Sequence, residues 1–143
     1  MRKSSSIVAA AAAVLAVFSA PSDAAADVKI RIDKSTHTMN VWVDGELRHT
    51  WPVSTGRGGY STPSGSFRPQ SMAARHMSSI YRGASMNNAI FFKSGYAIHA
   101  TTHVGNLGRP ASHGCVRLDP SHARELYGLV QSEGTRNTSI SIR

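Results

Sequence analysis

The residues best equipped for covalent chemistry stand together at Ser112-His113-Gly114-Cys115-Val116-Arg117-Leu118. Cys115 is the only cysteine of the chain, and His113 and His99 lie two and sixteen positions before it. A thiol attacks carbonyls as its thiolate, and little thiolate exists at neutral pH without a base nearby. Histidine is the side chain whose ordinary pKa suits that task. Gly114 lets the backbone turn sharply and lets a substrate come close. In such a turn the backbone amides of Gly114 and Cys115 are candidate oxyanion donors. Arg117, two residues past the thiol on an extended segment, falls on the same side of the chain. There a guanidinium would clamp a carboxylate and draw the thiol's pKa down. Ser112 either ties the loop together or reaches the substrate. These groups suit acyl transfer: the sulfur attacks a carbonyl, an amine leaves, and a second amine or water resolves the thioester.

Such a site needs strands to hold it. Val28, Ile30 and Ile32 alternate with Lys29, Arg31 and Asp33, as in a half-buried strand, and Met39, Val41 and Val43 repeat the pattern. Asp44-Gly45 is a tight hairpin turn, and Leu47, His49, Trp51 and Val53 are expected on one face of the return strand. Pro52 marks an edge or a bulge there. Gly56 to Gly65 reads as a loop, with Thr62-Pro63-Ser64-Gly65-Ser66-Phe67 as a turn at its end. Residues 70–88 carry no clean period and are expected to be an irregular segment or a short helix over the groove. Ala89-Ile90-Phe91-Phe92 reads as a strand buried on both faces, Lys93-Ser94-Gly95 turns it, and Tyr96-Ala97-Ile98-His99 returns. Val116 to Leu118 makes a short strand directly after the thiol. Asp119 caps a helix with Pro120 at its first position, near residues 120–132. Its apolar stripe is Ala123, Leu126, Tyr127, Leu129 and Val130, Gly134 ends it, and Ser139 to Ile142 is a last strand. The pattern is mainly β, a sandwich or barrel-like sheet arrangement with one C-terminal helix.

His99-Ala100, a loop, and Ser112-His113-Gly114-Cys115-Val116-Arg117 resemble the signature of the L,D-transpeptidase (YkuD-type) catalytic domain. The likeness extends more loosely from about Val28 to the end and includes the Thr62–Phe67 turn. It implies a β-sandwich of mixed strands, with residues 70–88 in the lid over the cleft. It implies Cys115 as nucleophile, His99 as base and the Ala100 carbonyl as the partner of the second imidazole nitrogen. His113 would support substrate or oxyanion contacts and is the second candidate base. The implied reaction takes peptidoglycan tetrapeptide stems as acyl donors, forming crosslinks or attaching an acceptor amine, with an anchored protein amine as another acceptor and with no cofactor. An L,D-carboxypeptidase or endopeptidase would use the same thioester and let water resolve it. A cell-wall binding module without catalysis is the rival of another class.

Composition sets the surroundings. The 143 residues fit one domain after a leader. Met1-Arg2-Lys3, the apolar run Ile7–Phe18 and Ala24-Ala25-Ala26 have the order of a secretory signal peptide, so residues 1–26 are expected to be cut away after Ala26, leaving 27–143 as the catalytic domain. No later segment is long and apolar enough to span a membrane. The expected location is the periplasm or cell wall, with roles in wall organisation and cell shape. An unpaired thiol in an oxidising compartment points to reactivity rather than structure. The net charge of +8 suits polyanionic surroundings, but no dense basic cluster interleaved with aromatics supports nucleic-acid binding. His103, four residues after His99, would share a helical face with it. Thr101-Thr102 and Gly105 oppose a helix there, no Glu follows His99 and no second cysteine is present, so no metal site is expected. Tyr96, His37, His49, His76 and His122 form no constellation in the sequence and are expected to be structural or on the surface.

Overall fold

The computed structural model describes residues 9–14, 16–18 and 25–143. The basic start at Met1-Arg2-Lys3, and Ala24 of the expected cleavage site, lie outside the described residues. Residues 9–14 and 16–18 are exposed and without regular secondary structure.

Nine strands and one α-helix are formed among the described residues. β1 (Val28–Asp33), β2 (Thr38–Val43) and β3 (Glu46–Pro52) make an antiparallel meander. Next come β4 (Gly65–Phe67), β5 (Ser71–Ala73), β6 (Ala89–Lys93), β7 (Tyr96–Ala100) and β8 (Val116–Leu118). Helix α1 (Pro120–Glu133) and β9 (Thr138–Ile142) complete the chain. One sheet runs β3-β2-β1-β9-β4 and the other β5-β6-β7-β8. Both are mixed, because β1 pairs with β9 and β7 with β8 in parallel while the other pairs are antiparallel.

Period-two patterning explains the core. Val28, Ile30 and Ile32 of β1, Met39 and Val41 of β2 and Ile140 and Ile142 of β9 all point inward and are essentially sealed from solvent. They meet Ile90 and Phe92 of β6, Ile98 of β7 and Val116 and Leu118 of β8 in one cluster. Helix α1 closes it with Ala123, Leu126 and Val130, resting on β7 and β6, while Tyr127 and Leu129 are only partly buried. Asp119 caps the helix by accepting the Ser121 amide at 2.8 Å, and Gly134 ends it.

The Asp44-Gly45 hairpin forms with both residues at positive φ, 49° and 79°, as a two-residue turn matched to strand twist requires. Pro52 lies on an edge strand, where its missing donor costs no ladder bond. Leu47 departs from expectation. A bulge opposite Val41/Trp42 gives β3 one extra residue, so the strand's alternation changes face. Leu47 therefore sits beside Trp42 and is half exposed, while Trp51 keeps its place in the core. The Thr62–Phe67 turn continues into β4, which pairs with β9 across Gly65–Ile142 and Phe67–Ile140.

Candidate active site

Strand alternation divides β7 and β8 between two faces. Their parallel register sets Ile98 beside Val116 and His99 beside Arg117. Ile98, Val116 and Leu118 enter the main core, so Ala97, His99, Cys115 and Arg117 belong to the opposite face. On that face Cys115 packs against a small cluster of Met86, Ala89 and Ala97 with Phe91 beside it. His99, Cys115, His113 and Arg117 all line one cleft of about 740 Å³.

His99 is 6 % exposed, and its Nδ1 lies 2.7 Å from the Ala100 carbonyl oxygen. A carbonyl only accepts, so Nδ1 carries the proton and Nε2 is the basic nitrogen. Burial lowers the His99 pKa to about 4, against the pull of the Ala100 hydrogen bond and with help from Arg117 and His76. The imidazole is therefore neutral at physiological pH. Burial pushes the half-buried Cys115 thiol up, although an Ala97 backbone hydrogen bond and the Arg117 guanidinium draw it down. Its Sγ lies 3.9 Å from the Gly95 carbonyl oxygen. Arg117 is itself desolvated, which lowers its pKa, and its Nη1 reaches the Ala111 carbonyl oxygen at 3.5 Å. Backbone bonds to Ser54 on both sides fix its main chain.

The turn before the thiol is built by Ser112, whose hydroxyl is wholly buried. It accepts the Gly114 amide at 3.0 Å and donates to the Cys115 carbonyl at 2.6 Å. Of the two roles open to Ser112 in the sequence, the loop bonding is formed in this structure. The Gly114 amide, expected as an oxyanion donor, is directed at Ser112 in this arrangement. Gly114 has φ of +120°, and a Cβ there would stand 2.5 Å from Cε1 of Tyr96, so both conformation and space require glycine. Tyr96 thus buttresses the turn and lines the cleft, a part its isolated position in the sequence did not disclose.

His113 is held from three sides. Tyr81 stacks on it at 4.1 Å, Tyr60 meets it edge-on at 4.8 Å, and Arg57 Nη2 donates to its Nε2 at 3.0 Å. Partial desolvation and the charges of Arg57 and Arg117 hold its pKa below the ordinary value. With Nε2 engaged by a guanidinium, His113 is poorly placed to take up a proton there. Tyr81 belongs to the 70–88 segment. That segment forms no helix: it rises from β5 as a narrow hairpin closed by the Met77–Ser85 bridge, and residues from Ser78 to Asn88 line one side of the cleft. Its arms are joined by backbone bonds at Ala74/Asn88, His76/Met86 and Ser78/Ala84, yet most of its residues are exposed, so no apolar period marked it in the sequence.

His103 and Arg124 also line the cleft. Among the described residues no three His, Cys, Asp or Glu side chains gather as metal ligands would. His49 and His122 sandwich Trp51 at 4.3 and 4.9 Å, and His37 Nδ1 lies 3.1 Å from Thr55 Oγ1, all away from the thiol. His76 is different, since its charge reaches His99 while its ring meets Phe91 edge-on. Among the described residues no helix is long and apolar enough to cross a membrane.

Solved structures share this architecture. An L,D-transpeptidase from Mycobacterium smegmatis is similar with a TM-score of 0.72 and 26 % identity over 82 % of this chain and 59 % of its own. An L,D-transpeptidase from Mycobacterium tuberculosis H37Rv gives 0.72 and 27 %, over 82 % and 58 %. The L,D-transpeptidase LdtMt1, solved in complex with imipenem, gives 0.74 and 26 %, over 82 % and 59 %. This chain therefore spans less than two thirds of the length of those proteins. No curated protein matches it. The family model of the L,D-transpeptidase catalytic domain, YkuD, matches residues 27–141. With a sandwich of two mixed sheets carrying His99 and Cys115 into one cleft, the chain belongs to the L,D-transpeptidase catalytic-domain family.

Proposed function

We propose that this protein is a cysteine-dependent L,D-transpeptidase acting on peptidoglycan stem peptides. The observation that carries the reading is the parallel register of β7 and β8, which lines one cleft with His99 and Cys115 and sets Arg117 directly beside His99. A tetrapeptide stem enters with the carbonyl of its L,D bond near Sγ. His99 Nε2 takes the thiol proton as sulfur attacks, and the resulting imidazolium gives it to the departing D-residue amine. The Cys115 backbone amide is the nearest donor to the oxyanion, because the Gly114 amide is committed to Ser112. Arg117 holds the carboxylate beside the scissile bond. A second stem's amine, deprotonated by His99, then attacks the thioester and restores the thiol. Whether amine or water resolves the thioester then depends on how far the hairpin side of the cleft excludes solvent.

Residues 1–26 act as a secretory signal, so the domain works in the periplasm or cell wall. The Asp27 nitrogen lies 2.8 Å from Asp44 Oδ1, a ready partner for the ammonium that cleavage after Ala26 would create. Purified tetrapeptide stems, incubated with the protein and weighed, test the activity. Crosslinked dimers with release of the terminal D-residue are expected, and Cys115→Ala abolishes both. Shortened monomers alone would identify a hydrolase, and no conversion of either kind would leave the wall-binding module.

A further inference from the structure

Every acidic side chain of the chain lies before Leu47 or after Leu118. The intervening 72 residues hold eight Lys and Arg and no Asp or Glu, whereas the rest of the chain balances eight basic against eight acidic residues. The whole excess charge of +8 thus belongs to the segment that builds the hairpin, the cleft strands and the loop before Cys115. Among the described residues no carboxylate lines the cleft, while Arg117 and Arg124 do.

Some of these cations are already engaged. Arg48 lies 3.7 Å from Glu46, Arg68 donates to the Arg136 carbonyl, Lys93 sits over the Phe67 ring and Arg57 holds His113. Arg75 and Arg82 are exposed and make no ion pair or side-chain hydrogen bond among the described residues, and the exposed Arg109 makes no ion pair but donates to the Gly105 carbonyl at 2.8 Å. Arg82 stands between Tyr81 and Gly83, which line the cleft, and Arg75 precedes the hairpin's closing bridge. Arg109 is on the loop joining His103 to Ser112, both of which line the cleft. The segments bordering the cleft at its rim therefore carry exposed arginines, and among the described residues no carboxylate lines the cleft.

We infer that this rim docks the free carboxylates of stem peptides adjacent, on the same polymer, to the one in the cleft. The enzyme thereby prefers polymeric, carboxylate-bearing peptidoglycan to isolated stems. This rests on the reading of the cleft as a stem-peptide site. Guanidinium binds carboxylate in a two-pronged, charge-assisted geometry that an amide cannot replace. Several such contacts on one polymer act together, because the first raises the effective concentration of the next. A cationic mouth around a low-dielectric cleft also steers an anionic polymer inward.

The test compares the wild type with the Arg75→Gln/Arg82→Gln/Arg109→Gln variant on insoluble peptidoglycan with free carboxylates and on one soluble tetrapeptide stem. The variant should lose about tenfold in kcat/KM on the polymer, within the range known for steering, and keep its value on the soluble stem. Raising salt from about 0.05 to 0.5 M should depress wild-type turnover of the polymer far more than of the stem, as the screening length shrinks severalfold. That salt comparison needs no variant and stands if the substitutions harm folding. Equal loss on both substrates, no loss on either, or matching salt dependences would overturn the inference while leaving the transpeptidase reading intact. If the wild type converts neither substrate although iodoacetamide alkylates Cys115, that reading falls, and the inference with it.

Discussion

Burial acts on the two reacting groups in opposite directions. It pushes the Cys115 thiol up and takes the His99 imidazole down to about 4. Both groups therefore rest neutral, and in the proposed mechanism the proton moves only as sulfur attacks. His99 remains able to accept a proton well below the range in which a free imidazole is protonated. We expect the acid limb of kcat/KM for stem peptides to fall near pH 4, and a profile measured from pH 3.5 to 8 checks this. A limb near 6.5 would mean that His99 is solvated or is not the base. The Ala100 carbonyl does for His99 what a carboxylate does in other triads, holding the tautomer without adding charge.

At the scale of elements, the hairpin over residues 74–88 meets the site partly through an aromatic stack, Tyr81 on His113. Such a stack contributes about 1 kcal/mol, so Tyr81→Ala should raise KM for stem peptides roughly threefold to tenfold while altering kcat less. Steady-state kinetics separate the two effects, and a fall in kcat alone would show that Tyr81 serves the chemistry rather than the cover. Much of the site was legible because Cys115, His99 and Gly114 carry chemistry in their residue types and spacing. The strands were legible where one face is buried, as at Val28-Ile30-Ile32. Leu47 was misplaced because one extra residue in β3 reverses the alternation without any signal of its own. Three-residue β4 and β5 are too short for a period, and their partners β9 and β6 are distant in sequence. Arg57 and Tyr60 reach the site from one loop, Tyr81 from the hairpin and Tyr96 from β7, so only folding brings them to His113 and Gly114.

Across the whole molecule, the site and the stability of the fold share the His99 proton. The folded imidazole titrates at about 4 and the unfolded one near its ordinary 6.5. Between those values the unfolded chain binds more protons, so stability is full above about 6.5 and declines as pH falls toward 4. The shift corresponds to about 3 kcal/mol lost over that window. Urea unfolding midpoints at pH 7 and pH 4.5 measure it, and His99→Gln should flatten the difference. The same sheet that seals the core on one face holds His99 and Cys115 on the other, so the proposed function and folding are coupled through β7 and β8. The most direct test of the account is to trap the protein with a tetrapeptide stem lacking an acceptor and weigh the intact chain. A thioester adduct equal to the stem without its terminal D-residue, mapped to Cys115 and absent in Cys115→Ala, is the predicted result. An adduct on any other residue, or D-residue release that survives Cys115→Ala, would contradict it.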